Sequence, residues 1–198
     1  RHTRWSGDWS SDVCSSDLDD FQNFSYNGIH DEKVVLTNAP TGSGKTRVIH
    51  YAIAYYIKKG YSVAVTIPIK ALSNQQYRDI CNDLKLKLKE LVGREVTIGI
   101  MTGDRQINPD ADCIIMTTEI LNESLNKFGD KDYKKELHLK PSFVDRLGCV
   151  ICDEAHYFND KDRGKVWESV LIKLKKHINV VLLSATLPNV QWFAQWDR

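Results

Sequence analysis

Ala39-Pro40-Thr41-Gly42-Ser43-Gly44-Lys45-Thr46 separates two stretches of different periodicity. Before it, Val34-Val35-Leu36 is a short apolar run, rich in β-branched residues, of the kind that forms a buried strand. After it, residues 47–57 carry apolar side chains at helical spacing. A strand, a glycine-rich turn, Gly-Lys-Thr and a helix together predict a phosphate-binding loop.

The residues of such a loop have distinct chemical roles. Glycines let the backbone N–H groups converge on phosphates, and the N-terminus of the following helix adds a favourable dipole. Lys45 is expected to neutralise the β- and γ-phosphates of a nucleoside triphosphate, and the Thr46 hydroxyl to ligate Mg²⁺. Ala39 departs from the general pattern, which begins with Gly, but the flanking strand and helix favour this interpretation over an ordinary turn. The predicted nucleotide-binding residues of the loop are Thr41, Gly42, Ser43, Gly44, Lys45 and Thr46.

Composition indicates one globular domain in a reducing compartment. The chain has 198 residues, 42% hydrophobic and 27% charged, with a net charge of +1, so a nucleic-acid site would have to be a local basic patch. Three of the five cysteines lie in apolar, strand-like runs, which is typical of reduced thiols in an intracellular protein, cytoplasmic or nuclear. Cys149-x-x-Cys152 has no second Cys or His pair at ligand spacing, so we do not expect it to bind metal.

The order of the predicted elements defines the fold class. Strands alternate with helices along the chain, which predicts an α/β domain with a mostly parallel sheet sandwiched by helices. We expect this domain to occupy residues 19–198. Residues 1–18 show no periodicity and resemble translated sequencing-adapter read-through, so we interpret them as a non-native or disordered leader. The polar stretch 128–142 is expected to be a surface excursion.

Unusual polar sequences follow several of the predicted strands. The carboxyl ends of parallel strands meet at one edge of a sheet, where ligands collect, so these sequences are expected to lie together. Asp153-Glu154 follows the strand 147–152 and suits an acidic site beside the phosphate loop. We assign Asp153 to Mg²⁺ and Glu154 to the attacking water; the alternative is a pair of solvated carboxylates at a strand end.

The order of these motifs resembles a known family. Ala-x-x-Gly-x-Gly-Lys-Thr, Asp-Glu-Ala-His and Ser-Ala-Thr are similar to motifs of superfamily-two DExH helicases. The resemblance extends to the superkiller-type RNA helicases that feed the exosome, and it implies the first RecA-like, P-loop NTPase domain of an enzyme that uses ATP and Mg²⁺. Further matching stretches are residues 68–78, 101–104, 107–111, 116–121, 160–164 and 187–189.

The resemblance also implies roles for individual residues. Gln22 would read the adenine edge and give a preference for ATP, and Ser184 and Thr186 would couple the nucleotide site to strand binding. His156 would help to relay between the two sites, and it belongs with Lys45, Asp153 and Glu154 to the implied catalytic residues. The alternative is that His156 is only a core histidine. The residues expected to contact the nucleic-acid backbone are Pro68, Ile69, Lys70, Gly103, Thr117, Thr118 and Glu119.

A second RecA-like domain, with its arginine finger, has no counterpart in this sequence. We therefore expect the chain alone to hydrolyse ATP feebly and not to unwind. The implied partners are single-stranded RNA or RNA with a single-stranded overhang, exosome-type RNA decay machinery and the second RecA-like domain of a longer parent. Two alternatives stay open: a DNA-directed helicase or translocase, and a non-catalytic nucleotide-dependent RNA clamp.

Overall fold

A computed structural model describes residues 18–67, 74–103, 105–126, 139–156 and 163–185. Helices and strands alternate through most of these ranges, as the apolar periodicity predicts. The helices are α1 (Asp20–His30), α2 (Lys45–Lys58), α3 (Asn74–Val92), α4 (Thr118–Asn126), α5 (Pro141–Asp145) and α6 (Arg163–Lys173). The strands are β1 (Val35–Asn38), β2 (Ser62–Thr66), β3 (Ile98–Thr102), β4 (Arg105–Ile107), β5 (Cys113–Met116), β6 (Leu147–Cys152) and β7 (Asn179–Ser184).

The seven described strands form one sheet in the order β1-β7-β6-β2-β5-β3-β4. Every neighbouring pair is parallel except β3 and β4, which are antiparallel. The carboxyl ends of the first six strands in this order therefore lie along one edge of the sheet. The predicted mostly parallel sheet is confirmed.

Apolar side chains cover both faces of the sheet, because alternate residues of a strand point to opposite sides. Val63 and Val65 of β2 belong to a core cluster that includes buried residues of α1, α2 and α3. Ala64, between them, belongs to a second cluster with residues of α4, α5 and α6. Helices thus sandwich the sheet as predicted.

The same alternation separates two cysteines of β6. Cys149 lies in the first cluster and Cys152 in the second, so their sulfur atoms are on opposite faces of the sheet. Burial raises the pKa of the Cys149 thiol, which keeps it protonated at neutral pH. This geometry prevents the pair from sharing one metal ion.

Two elements differ from the expectations drawn from sequence. The segment after Gly103 forms β4, a three-residue edge strand that is too short to give a periodic signal. The end of the expected excursion 128–142 is wrong, because Leu139 is fully buried and Pro141 is at the start of α5. Proline at a first helical position suits a helix start. The polar residues around Leu139 made its burial difficult to predict from the sequence.

The beginning of the predicted domain is near the first described residue. Leu18 is partly buried against the first core cluster, and residues 1–17 are outside the described ranges, so the interpretation of the leader stays a prediction. None of the helices in the described ranges has the length and apolar character needed to cross a bilayer.

Candidate nucleotide and nucleic-acid site

The phosphate loop (residues 39–46) joins β1 to α2 at the carboxyl edge of the sheet. Gly42 and Gly44 have φ values of 84° and 87°, a left-handed conformation that disfavours residues with a Cβ atom. The non-glycine residues with positive φ in the described ranges are Glu32, Asn108 and Glu154. Ala39 is not left-handed, which explains why the first position of the loop does not need glycine here.

Hydrogen bonds within the loop hold it closed. The Ser43 hydroxyl donates to the Pro40 carbonyl oxygen at 2.7 Å, and the Lys45 ammonium donates to the Ala39 carbonyl oxygen at 2.7 Å. Thr41 and Thr46 are exposed beside these contacts. The predicted loop residues therefore lie together, with the lysine charge at the mouth of the loop.

Gln22 reaches the phosphate loop from the first turn of α1. Its Nε2 donates to the Gly44 carbonyl oxygen at 3.2 Å, and its Oε1 accepts from the Asp19 N–H at 3.2 Å. The side chain is only 2% exposed. The structure thus brings the residue expected to read adenine into contact with the residues expected to hold phosphate.

Asp153 and Glu154 follow β6 at the same edge. The Asp153 N–H donates to the Thr66 carbonyl oxygen at 3.0 Å, which fixes the turn against the end of β2. Burial raises the pKa of Asp153, and the Glu154 carboxylate adds to this shift, while the Lys45 and His156 charges oppose it. Asp153 is therefore a partly desolvated acid near a lysine, a setting that suits a bound cation.

Glu154 is held in an unusual backbone conformation. Its φ is 60°, and its N–H donates to Asp153 Oδ1 at 3.0 Å. Its Oε2 lies 3.0 Å from His156 Nδ1, so the carboxylate and the imidazole are close neighbours. Strained non-glycine residues of this kind are frequent at functional sites.

Ser184 ends β7, which lies between β1 and β6. Its carbonyl oxygen accepts from the Ala39 N–H at 3.0 Å, one residue beyond the Asn38–Ser184 pair of the sheet. This bond ties the first residue of the phosphate loop to the predicted coupling residue. Thr186 lies outside the described residues.

The described residues among those predicted to contact nucleic acid lie at the other half of the edge. Gly103 is exposed after β3, and Thr117 follows β5. Thr117 is buried, and its hydroxyl accepts from the Ile120 N–H at 3.4 Å, so its side chain caps α4. Thr118 is half-buried and Glu119 exposed in the first helical turn, while Pro68, Ile69 and Lys70 are outside the described residues.

Thr66 is a positioning residue that the sequence analysis missed. It is fully buried at the end of β2, and its carbonyl holds the Asp153 N–H. Its hydroxyl donates to the Ile151 carbonyl oxygen at 3.3 Å, which draws β2 and β6 together. A single polar residue within the apolar run 63–67 was the available signal.

The described side chains do not build a metal site on their own. Groups of three or more His, Cys, Asp or Glu residues that could hold an ion are not found within the described ranges. Mg²⁺ in nucleotide sites uses one or two protein ligands and completes its shell with water and phosphate oxygens. Thr46 and Asp153 supply that donor set, so these residues fit Mg²⁺ carried in with a nucleotide.

Comparison with known proteins agrees with this geometry. The family model described as DEAD/DEAH box helicase matches residues 19–193. The chain belongs to this family.

The curated relatives include helicases of the expected branch. The chain is 43% identical over 180 residues to "Antiviral helicase SKI2" of Saccharomyces cerevisiae, covering 91% of this chain and 12% of the relative. It is 42% identical over 179 residues to "mRNA transport homolog 4" of Caenorhabditis elegans, covering 90% and 15%. It is 38% identical over 179 residues to the human "Exosome RNA helicase MTR4", again covering 90% and 15%. The resemblance to superkiller-type helicases is confirmed, although the chain spans less than a sixth of these relatives.

Solved structures share the fold at lower identity. A hypothetical ATP-dependent RNA helicase from Sulfolobus tokodaii superposes with a TM-score of 0.61 at 20% identity, covering 88% of this chain and 49% of that one. The DUF1998 helicase MrfA superposes with a TM-score of 0.68 at 17% identity, covering 94% and 29%. The predicted RecA-like α/β fold is confirmed.

Proposed function

We propose that this chain is the first RecA-like, ATP-binding domain of an ATP-dependent RNA helicase, which hydrolyses ATP to translocate on RNA and unwind it. The observation that carries the proposal is the meeting of the phosphate loop and the Asp153-Glu154-His156 turn at one edge of the sheet. Membership of the helicase family supports it, and so does the name of the human relative, an exosome RNA helicase. An intracellular location follows from the same proposal.

The site fits ATP with Mg²⁺. Gly42 has open space around the position of a Cβ atom, which leaves the loop backbone accessible to phosphate oxygens. The first N–H groups of α2 have no intrahelical partner and so point at the loop. When bound, ATP and Mg²⁺ supply the scissile phosphoanhydride and the charge that offsets its phosphates.

The protein residues have separate roles in hydrolysis. Lys45 exchanges its contact with the Ala39 carbonyl for phosphate oxygens, which are charged and therefore stronger acceptors. Thr46 and Asp153 would hold Mg²⁺. Glu154 orients the attacking water and accepts its proton at a carboxylate oxygen. His156 Nδ1 lies 3.0 Å from the Glu154 carboxylate.

The far half of the edge is proposed to hold RNA. Gly103, Thr118 and Glu119 lie beyond β2 from the nucleotide residues, so one strand of nucleic acid would cross the ends of β5 and β3. Backbone N–H groups at the start of α4 suit phosphates, and such contacts are largely independent of sequence. We infer that Pro68, Ile69, Lys70 and Thr117 contribute to this surface and that Ser184 and Thr186 connect it to the phosphate loop.

The proposal includes partners beyond this chain. A second RecA-like domain would close the nucleotide site with an arginine finger, a group worth about 10³–10⁵ in rate. We therefore expect slow turnover by this chain alone. Single-stranded RNA and exosome-type decay machinery are the proposed larger partners, because relatives are named for superkiller and exosome functions.

Two measurements test the proposal. In the 198-residue chain, Glu154→Gln should keep the affinity for a fluorescent ATP analogue with Mg²⁺, whereas Lys45→Ala should lose it. In a helicase that carries this domain, Glu154→Gln should abolish ATP turnover, and RNA should stimulate the wild type more than DNA of the same sequence. Unchanged turnover in Glu154→Gln would refute the catalytic assignment, and equal or greater stimulation by DNA would favour a DNA translocase.

A further inference from the structure

Two contacts fix α1 against β1. A Cβ atom on Gly28 would lie 2.7 Å from Val35 Cγ2, so the helix and strand backbones approach closely there. Ser25 is one turn before Gly28 on α1, and Thr37 is two residues after Val35 on β1. Their hydroxyl oxygens, Ser25 Oγ and Thr37 Oγ1, lie 2.7 Å apart. The seam between the two elements is therefore apolar at one end and polar at the end that faces the phosphate loop.

The direction of the hydrogen bonds at the polar end is determined. The Ser25 hydroxyl has one proton, and it donates that proton to the Phe21 carbonyl oxygen at 2.7 Å. The Thr37 hydroxyl must therefore be the donor to Ser25 Oγ. Both side chains are buried, with exposures of 2% and 3%, so water does not replace either partner. A directed chain of hydrogen bonds thus runs from β1 to the residue that precedes Gln22.

We infer that Ser25 and Thr37 are positioning residues that hold Gln22 at the nucleotide site. The pair connects the strand that leads into the phosphate loop with the helical turn that carries the Gln22 amide. Gln22 donates to the Gly44 carbonyl in the loop, so a shift of this turn moves the amide relative to the phosphate loop. This inference rests on the proposed function and on the role that the family resemblance implies for Gln22, which is to read the adenine edge.

The effect of losing the pair should be partial. Other contacts still hold α1, including the stacked rings of Tyr26 and Tyr51 with centroids 4.0 Å apart. Thr37→Val removes one donor, keeps the side-chain shape, and leaves Ser25 bonded to the Phe21 carbonyl. The variant should therefore fold, with the Gln22 turn held less firmly. The ratio of GTP to ATP dissociation constants should fall by about two- to tenfold, the equivalent of one hydrogen bond.

Two variants separate positioning from a merely structural role. Thr37→Ser retains the hydroxyl and should keep the wild-type ratio. Ser62→Ala removes another buried hydroxyl, one that donates to the Phe143 carbonyl at 2.7 Å and lies at the opposite, amino end of the sheet. It should lower the melting temperature without changing the ratio.

The experiment measures binding of fluorescent ATP and GTP analogues to the 198-residue chain and completes a double-mutant cycle with Gln22→Ala. If Thr37 acts through Gln22, Thr37→Val should not change the ratio further in the Gln22→Ala background. An unchanged ratio in Thr37→Val, or an additive cycle, would overturn the inference while leaving the proposed function intact. A wild-type chain that binds neither nucleotide would instead contradict the proposed function. A wild-type chain that binds ATP and GTP equally would contradict the role of Gln22. Either result would also overturn the inference.

Discussion

Replacing Gly44 by alanine should damage the nucleotide site through two separate effects. Gly44 has a φ of 87° and a ψ of 22°, a conformation that an L-residue with a Cβ atom adopts only with strain. A Cβ atom there would also lie 2.7 Å from Gln22 Nε2. The Gln22 amide cannot move away freely, because both of its ends are hydrogen-bonded in a buried position.

The two effects can be given magnitudes. The left-handed backbone costs about 1–2 kcal/mol for a residue with a side chain. Displacing the Gln22 amide breaks its bond to the Gly44 carbonyl, a further loss of about 0.5–1.5 kcal/mol. Together they amount to about 1.5–3.5 kcal/mol. If bound nucleotide requires the native loop, the affinity of Gly44→Ala should fall by about ten- to three-hundredfold.

Two other glycines serve as matched controls. Gly42 and Gly60 have φ values of 84° and 87°, and a Cβ atom at either position would meet nothing within 4 Å. In urea unfolding of the nucleotide-free chain, their alanine variants should lose only the free energy of unfolding that the left-handed backbone costs, about 1–2 kcal/mol. Gly60 lies after α2, away from the loop, so Gly60→Ala should also leave nucleotide binding unchanged. Equal losses of unfolding free energy in Gly44→Ala and Gly60→Ala would refute the proposed contact with Gln22.

Two further predictions concern buried or paired carboxylates. Burial raises the pKa of Asp153, so its carboxyl stabilises the folded chain most below the ordinary pKa of 3.8 and loses this contribution as pH rises through the raised value. At pH 7, Asp153→Asn should therefore unfold at a higher urea concentration than the wild type. An unchanged or lower midpoint would contradict the raised pKa. Arg94 makes two hydrogen bonds to Asp112 at 3.1 and 3.0 Å at the amino edge of the sheet. Since Arg94 is half exposed, Arg94→Ala should cost about 1 kcal/mol in urea unfolding, and its nucleotide affinity, measured in parallel, should equal that of the wild type.

The fold and the position of the site were predictable because the motifs lie after strands. Parallel strands place their carboxyl ends at one edge whatever their order in the sheet, so Lys45, Asp153 and Ser184 could be grouped without knowledge of the strand order. The contact between Gln22 and Gly44 was not predictable in this way, because it depends on how α1 packs across β1. Resemblance to a family suggested a role for Gln22, but not its bond to the loop.

The features that sequence missed were short or local. β4 has three residues, too few for a periodic pattern to emerge. Leu139 is one apolar anchor next to a polar stretch, and its burial depends on a tertiary contact. Thr66 holds the Asp153 N–H through its backbone carbonyl, which every residue has, so the one signal in the sequence was a polar residue within the apolar run 63–67.

The bonds around residues 39–46 connect the proposed nucleotide site to several elements of the fold. The Ala39 N–H is bonded to Ser184 of β7, the Ala39 carbonyl to Lys45, and the Gly44 carbonyl to Gln22 of α1. In the proposed function Lys45 leaves the Ala39 carbonyl for a phosphate, so one of these three bonds would be lost and the other two would remain. The remaining bonds lead to α1, which carries Gln22, and to β7, which lies beside β6, the strand before Asp153. We therefore expect any movement of the loop to reach both elements. A substitution at either end should therefore alter how firmly the loop holds phosphate, even where the substituted side chain does not touch the nucleotide.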